Sequence, residues 1–253
     1  MCIFSGDTVV KSTQEFVGVL SPTRRLLGYS NGVTTKKGGS VMMLPIPTEQ
    51  EVIFHDTTLY PNWLERISQR VLEEATKGRR GGATLDLFKT VGAYKMLMVE
   101  PKDVVSTLIN LRQAVQIWTY DMVEAYEDYK WLFVVIPEGR EISSQPILIE
   151  FEQSINPEQL YFPLMDVHGD DEVSPKVLRN HILSIGDLEF SICPETSDFQ
   201  MTTPNFPWNN EFLYTGTTLL GNTTKNGDVW ATAGKDENKN KYWKMRMETP
   251  YQF

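Results

Sequence analysis

Strand-forming runs occupy both ends of the chain, and helical spacing is confined to the stretch between residues 61 and 130. This layout constrains the fold more than any single motif. A doubly wound parallel sheet needs strict strand-helix alternation, and here strands come in series with the helices grouped between them. Met1 to Phe4 is a short apolar start. Glu15 to Leu20 alternates towards a strand and breaks at Ser21-Pro22-Thr23; Arg25 to Thr34 follows, with a Ser30-Asn31-Gly32 turn signal inside or just after it. Lys36 to Gly39 is a turn. Ser40 to Leu44 is an apolar run of strand length, which points to burial on both faces, and Pro45-Ile46-Pro47 closes it. Glu51 to Thr57 is another short alternating strand. On the far side of the helical stretch, Trp131 to Ile136 is aromatic and β-branched without a charge, the composition of a central strand, and Pro137 and Gly139 end it. Gln145 to Phe151 and Gln159 to Leu164 are two more strands, whereas Val177 to Phe190 is ambiguous between a strand pair and a short helix.

Pro61 to Lys77 is the clearest helix. Pro61 suits the first helical position, Leu64, Ile67, Val71 and Ala75 recur at helical spacing, and Gly78 stops it. Gly92 to Val99 reads as a strand. Pro101 opens a second helix, in which Val104, Leu108, Leu111, Val115 and Trp118 follow at intervals of three and four. Tyr120 to Lys130 is a candidate third, with Met122, Tyr126 and Tyr129 on one side. The fold class is α+β: a largely antiparallel β-sheet body over residues 1–197 with two or three helices. From residue 198 to 253 the composition shifts to Thr, Asn, Gly and aromatics, among them Phe206, Trp208, Phe212, Tyr214, Trp230, Tyr242 and Trp243. That is too aromatic for disorder, yet no periodic apolar run supports a separate core. The segment reads as an extended arm containing a β-hairpin. Leu213 to Leu220 and Asp228 to Ala233 are its strands, and Asn222 to Gly227 turns between them. Such an arm packs on its own body or on a neighbouring chain.

The balance of charge narrows the partners. At 253 residues with a net charge of −9, the chain lacks the clustered Lys and Arg from which a nucleic-acid binder draws its affinity. The one basic knot, Lys77 to Arg80, runs into Gly81-Gly82 without the Gly-Lys-Ser/Thr ending of a phosphate-binding loop. No dinucleotide fingerprint is present, so no cofactor is expected. No run of about 18 apolar residues suggests a membrane span, and the N-terminus does not read as a leader. Cys2 and Cys193 are too few and too far apart for a disulfide framework. The expected location is intracellular, in the cytoplasm or within a larger particle assembled there.

Catalytic chemistry has one candidate. The chain has His55, His168 and His181 only, and none sits at zinc-site spacing with a cysteine. Asp166, His168, Asp170 and Asp171 form the densest polar cluster, and a strand would set Asp166 and His168 on one face. Removal of Met1 would leave Cys2 with a free α-amine beside its thiol, a self-contained base and nucleophile. Cys2 could instead pair with His168 or His181 as an ordinary cysteine-histidine dyad, with Asp166 or Asp170 orienting the imidazole. The plain alternative is a small apolar residue buried in the first strand.

Several motifs occur together: Met1 to Ser5 (MCIFS), Leu44 to Pro47 (LPIP), Asp128 to Phe133 (DYKWLF), Leu160 to Pro163 (LYFP), Val167 to Asp170 (VHGD) and Asn180-His181. Over about residues 1–185 this resembles a group of uncharacterised proteins, known mainly from bacterial genomes, that open Met-Cys-Ile-Phe-Ser. It is distantly similar to a larger bacterial family of unknown function with a Val-Leu-Pro-Val-Pro segment. The matching positions are Cys2, Ser5, Tyr29, Pro45, Pro47, His168 and His181. The resemblance carries no activity with it. Together these features favour a non-catalytic interaction or structural protein of an oligomer or larger assembly such as a virion, working through protein partners or self-association by the arm. The alternative is a hydrolase or transferase with Cys2 as nucleophile.

Overall fold

The computed structural model describes residues 3–6, 8–35, 39–55, 57, 64, 90–91, 95–136, 138, 142–144, 146–168, 177–186, 191–192, 200–202, 213–222, 227–235, 237 and 241–248. At 11–12, 90–91, 142–144, 168, 177–182, 191–192, 200–202, 213–222 and 241–248 it describes the backbone alone. In chain order the strands are β1 (Ile3–Phe4), β2 (Thr8–Val19), β3 (Arg24–Thr35), β4 (Ser40–Ile46), β5 (Ile53–Phe54), β6 (Thr90–Val91), β7 (Lys95–Val99), β8 (Lys130–Ile136), β9 (Ile142–Ser144), β10 (Ile147–Glu152), β11 (Gln159–Phe162), β12 (Val167–His168), β13 (Val177–Gly186), β14 (Ser191–Ile192), β15 (Gln200–Thr202), β16 (Leu213–Asn222), β17 (Asp228–Lys235) and β18 (Lys241–Glu248). Two helices lie between β7 and β8. These are α1 (Val104–Asn110), entered through a 3-10 turn at Pro101–Asp103, and α2 (Ile117–Ala125).

Among the described residues the strands form three sheets. A five-stranded sheet runs β12-β1-β4-β8-β7. A nine-stranded sheet follows the path β15-β16-β13-β2-β3-β10-β5, with β9 added to β3 and β6 to β9. The third runs β11-β17-β18-β14. Pairing is mostly antiparallel; the parallel exceptions are β1 with β12, β2 with β13, β6 with β9, and β14 with β18. The α+β class read from the sequence is the class observed.

The inner strands β4 and β8 of the five-stranded sheet are buried on both faces, which explains their apolar runs. Met42, Leu44 and Ile46 of β4 and Leu132, Val134 and Ile136 of β8 join a large core with residues of β2, β3, β10, β11, β13 and β17. The alternate residues Val41, Met43, Trp131 and Phe133 join a second core beneath the helices, with Val104, Leu108, Trp118 and Met122. Burying a side chain of this size contributes about 1.5–3 kcal/mol relative to exposure, so a polar residue at any of these core positions is costly. Strand β4 continues through Pro45 to Ile46, past the proline read as its stop. It does so because β1 pairs only with Met42 and Met43, and Pro45 lies beyond that contact, where it needs no N–H on that side.

Three sequence readings change in detail. Ser30-Asn31-Gly32 is no turn but lies within β3, opposite a register shift between Val10 and Ser12 of β2. Asn31 is accommodated there by a buried hydrogen bond from the Thr13 hydroxyl to its Oδ1 (2.7 Å). Val177 to Gly186 is strand. In the segment read as a C-terminal arm the hairpin is β17–β18; β16, read as the partner of β17, pairs with β13 and β15 in the nine-stranded sheet. Strand β17 docks on β11, and Trp230 is taken up by the chain's own body. The expected helix from Pro61 to Lys77 lies outside the described residues except Leu64, which is helical and fully buried.

The helix read as continuous from Pro101 to Trp118 is two helices. Gln113 N–H donates to the Leu108 carbonyl and Arg112 N–H to the Ile109 carbonyl, both at 2.9 Å. This is a Schellman closure, and Arg112 holds its left-handed position at φ 57°. Glycine adopts that conformation without Cβ strain. Arg112→Gly is therefore expected to raise the unfolding free energy by about 0.5–1 kcal/mol, measured by urea titration.

Candidate functional site

The residues named from the sequence are distributed over two sheets. Strand β12 pairs in parallel with β1, so that Val167 stands opposite Ile3 and His168 opposite Phe4. The backbone thus brings His168 beside the strand that follows Cys2; Cys2, Asp170 and Asp171 lie outside the described residues. Asp166, directly before β12, is buried. His181 belongs to β13 of the nine-stranded sheet, opposite Thr13 and Leu219. Among the described residues no group of three His, Cys, Asp or Glu side chains is placed to hold a metal.

The first strand is fixed by Ser5. Its N–H donates to the Val41 carbonyl and its Oγ accepts from Val41 N–H, both at 3.0 Å. The Ser5 hydroxyl donates to Gln113 Oε1 at 2.7 Å, and Gly6 N–H donates to Ser40 Oγ at 3.1 Å. The link between the helices is thereby tied to the chain's opening segment, and Arg112's left-handed turn is what delivers Gln113 there.

The densest polar centre is one that sequence reasoning missed. Asp228, at the start of β17, is fully buried. Its Oδ2 accepts from the Tyr126 hydroxyl (2.6 Å) and the Tyr161 hydroxyl (2.9 Å), and its Oδ1 accepts from the N–H groups of Leu164 (2.8 Å) and Met165 (3.0 Å). Burial raises its carboxyl above the usual range, and the four hydrogen bonds oppose that rise. Burial, joined by the neighbouring Asp228 charge, pushes the phenols of Tyr126, Tyr161 and Tyr129 well above 10. The rings enclose the carboxylate: Tyr126 meets Tyr129 and Trp131 edge-on at 5.1 and 5.6 Å, and Tyr161 lies 4.8 Å from Trp230. Nothing in the sequence marks Asp228 beyond its place after Gly227.

A second buried acid has the opposite character. Glu15 on β2 lies between Tyr29 of β3 and Leu183 of β13 in register. Neither of its carboxylate oxygens has a hydrogen-bond partner among the described residues. Burial holds its pKa well above 4.5, and the Asp228 charge adds to the rise. A cavity of about 10 Å³ near Tyr29, Asn31, Met42 and Val134 holds at most one water. These interior groups consolidate the fold.

The architecture is that of a mixed β protein with a helical layer on one sheet, and known structures share it. No family model matches the sequence, and no curated protein matches it. The crystal structure of baculovirus p35 is similar at a TM-score of 0.51 and 15% identity, covering 96% of this chain and 87% of that one. The chain therefore has the p35 fold. A mutated baculovirus p35 after caspase cleavage (TM-score 0.45, 16% identity, 96% and 93% covered) and the caspase-8/p35 complex (TM-score 0.43, 14% identity, 92% and 84% covered) are also similar.

The two buried acids respond differently to substitution. Asp228→Ala leaves four buried donors without an acceptor and is expected to cost about 3 kcal/mol or more. Glu15 keeps its proton in the folded state at pH values where the unfolded chain has lost it. Its contribution to stability is complete below about 4.5 and is lost as pH rises towards the folded value. Urea titrations from acid to neutral pH should show wild-type stability falling relative to Glu15→Gln, whose side chain does not titrate; a constant difference across that window would contradict the assignment.

Proposed function

We propose that this chain is a non-catalytic protein-binding protein and that the partner class to test first is a caspase. What supports this is the p35 fold, shared over 96% of the chain, together with the solved complex of p35 with caspase-8. At 15% identity the likeness itself reaches only the fold, so the partner is tested directly. The full chain mixed with active caspase-8 is expected to co-elute with it on size exclusion and to slow its hydrolysis of a fluorogenic peptide in proportion to the amount added. Separate elution with unchanged hydrolysis would remove the caspase from the proposal.

A second reading is favoured by one observation, the parallel register that sets His168 opposite Phe4. In that reading Cys2 is a nucleophile, His168 its base and Asp166 the group that orients the imidazole. His181, on β13 of the nine-stranded sheet, is the alternative base. A thiolate reacts where a buried thiol does not. The folded chain should then be labelled by iodoacetamide at neutral pH, and Cys2→Ala should abolish the fast phase. Labelling that needs denaturant excludes this reading.

A further inference from the structure

We propose that the outward face of α2 is a docking surface for a basic protein segment bearing apolar side chains. The inference rests on the protein-binding reading and names a surface and partner chemistry for it.

Helix α2 buries Trp118, Thr119 and Met122. Residues three, four and seven places on from Ile117 share its side of the helix; these are Tyr120, Asp121 and Glu124, and all are exposed. Ile117 is 88% exposed and Tyr120 59%. Of the eight large hydrophobics exposed among the described residues, three belong to the two short helices, the third being Ile109 of α1. Single exposed apolar residues are ordinary on a protein surface. Ile117 is less so, because it opens a helix that has no side-chain cap and β-branched residues are poor helix formers. The local cost brings no burial within the chain, which is the pattern expected where a residue serves an external contact.

Charge identifies the occupant. Residues 117–128 contain Asp121, Glu124, Glu127 and Asp128 and no Lys or Arg, and all four carboxylates are exposed. An apolar spot bordered by carboxylates complements apolar side chains flanked by Lys or Arg. A second copy of this face would set like charges against each other, and a chain of net charge −9 repels nucleic acid and anionic membranes. The apolar pair supplies the contact area and the carboxylates supply orientation and rate of encounter.

The probe is a synthetic helical peptide with leucines on one face and lysines on the other, titrated into the full isotope-labelled chain. Amide shifts are expected to concentrate at residues 117–128, binding should weaken as salt rises, and a leucine-glutamate counterpart should not bind. The double variant Ile117→Ser, Tyr120→Ser changes exposed positions only, keeps the wild-type melt and should bind about tenfold more weakly. Shifts centred elsewhere, equal binding of the glutamate peptide, unchanged affinity of the double variant, or a homodimer lost in that variant would each overturn the proposal. The two readings fail separately. If caspase-8 ignores the wild-type chain while the peptide maps to α2, the caspase partner is lost and the surface stands. If the peptide is indifferent to Ile117 and Tyr120 while caspase-8 binds, the surface is lost and the caspase partner stands.

Discussion

The carboxylate of Asp228 joins parts of the chain that are far apart in sequence. Its four hydrogen bonds reach Tyr126 at the end of α2, Tyr161 of β11, and the backbone of Leu164 and Met165. The third sheet, the helical layer and the approach to β12 thus meet at one buried group. An ionised carboxylate is costly to bury unless its acceptor sites are filled; here they are filled by two hydroxyls and two main-chain donors. The aromatic rings around it exclude water and strengthen each bond by lowering the local dielectric. Geometry follows from this satisfaction: the N–H groups of Leu164 and Met165 turn inward to Asp228, just ahead of the point where Val167 and His168 pair beside β1.

Glu15 shows what the same residue class does without partners. Both acids are raised by burial, but Asp228 is held down again by its donors whereas Glu15 has none among the described residues. One is a fastening and the other a liability that the surrounding apolar core carries. The same division separates Ser5 and Asn31, polar residues whose buried hydrogen bonds fix the first strand and the β2–β3 register, from ordinary surface polarity.

Much of the framework was legible because burial on both faces leaves a plain mark. Ser40–Leu44 and Trp131–Ile136 announced themselves as apolar runs within β4 and β8, and the large core shows why. The helical stretch was harder. Leu111 and Val115 keep the spacing of three and four although they lie in the link between helices, because link and helices pack on the same sheet face. Only Arg112's backbone conformation breaks the helix, and an arginine gives no such signal in sequence. The hairpin was paired one strand too early, since local turn residues cannot say that β16 belongs to β13, whose paired residues lie 28 to 45 positions upstream. Asp228 was illegible for a related reason: its four donors come from positions 63 to 102 residues away, and no spacing rule links them. The candidate cysteine and histidines were visible as residue types; the sequence could not assign His168 and His181 to different sheets.

The placement of polar groups bears on what the fold can do. In this chain the described interior groups with short, well-aligned bonds are spent on one another: Asp228 on its tyrosines, Ser5 on Val41 and Gln113, Gln153 on the carbonyls of Asn156 and Gln159. A tightly fastened β body with an exposed helical layer presents a fixed surface to a macromolecule, and a rigid surface loses little entropy when a partner settles on it. In the proposed reading, binding would depend on the match of apolar area and charge at that surface, with the interior holding the helices still.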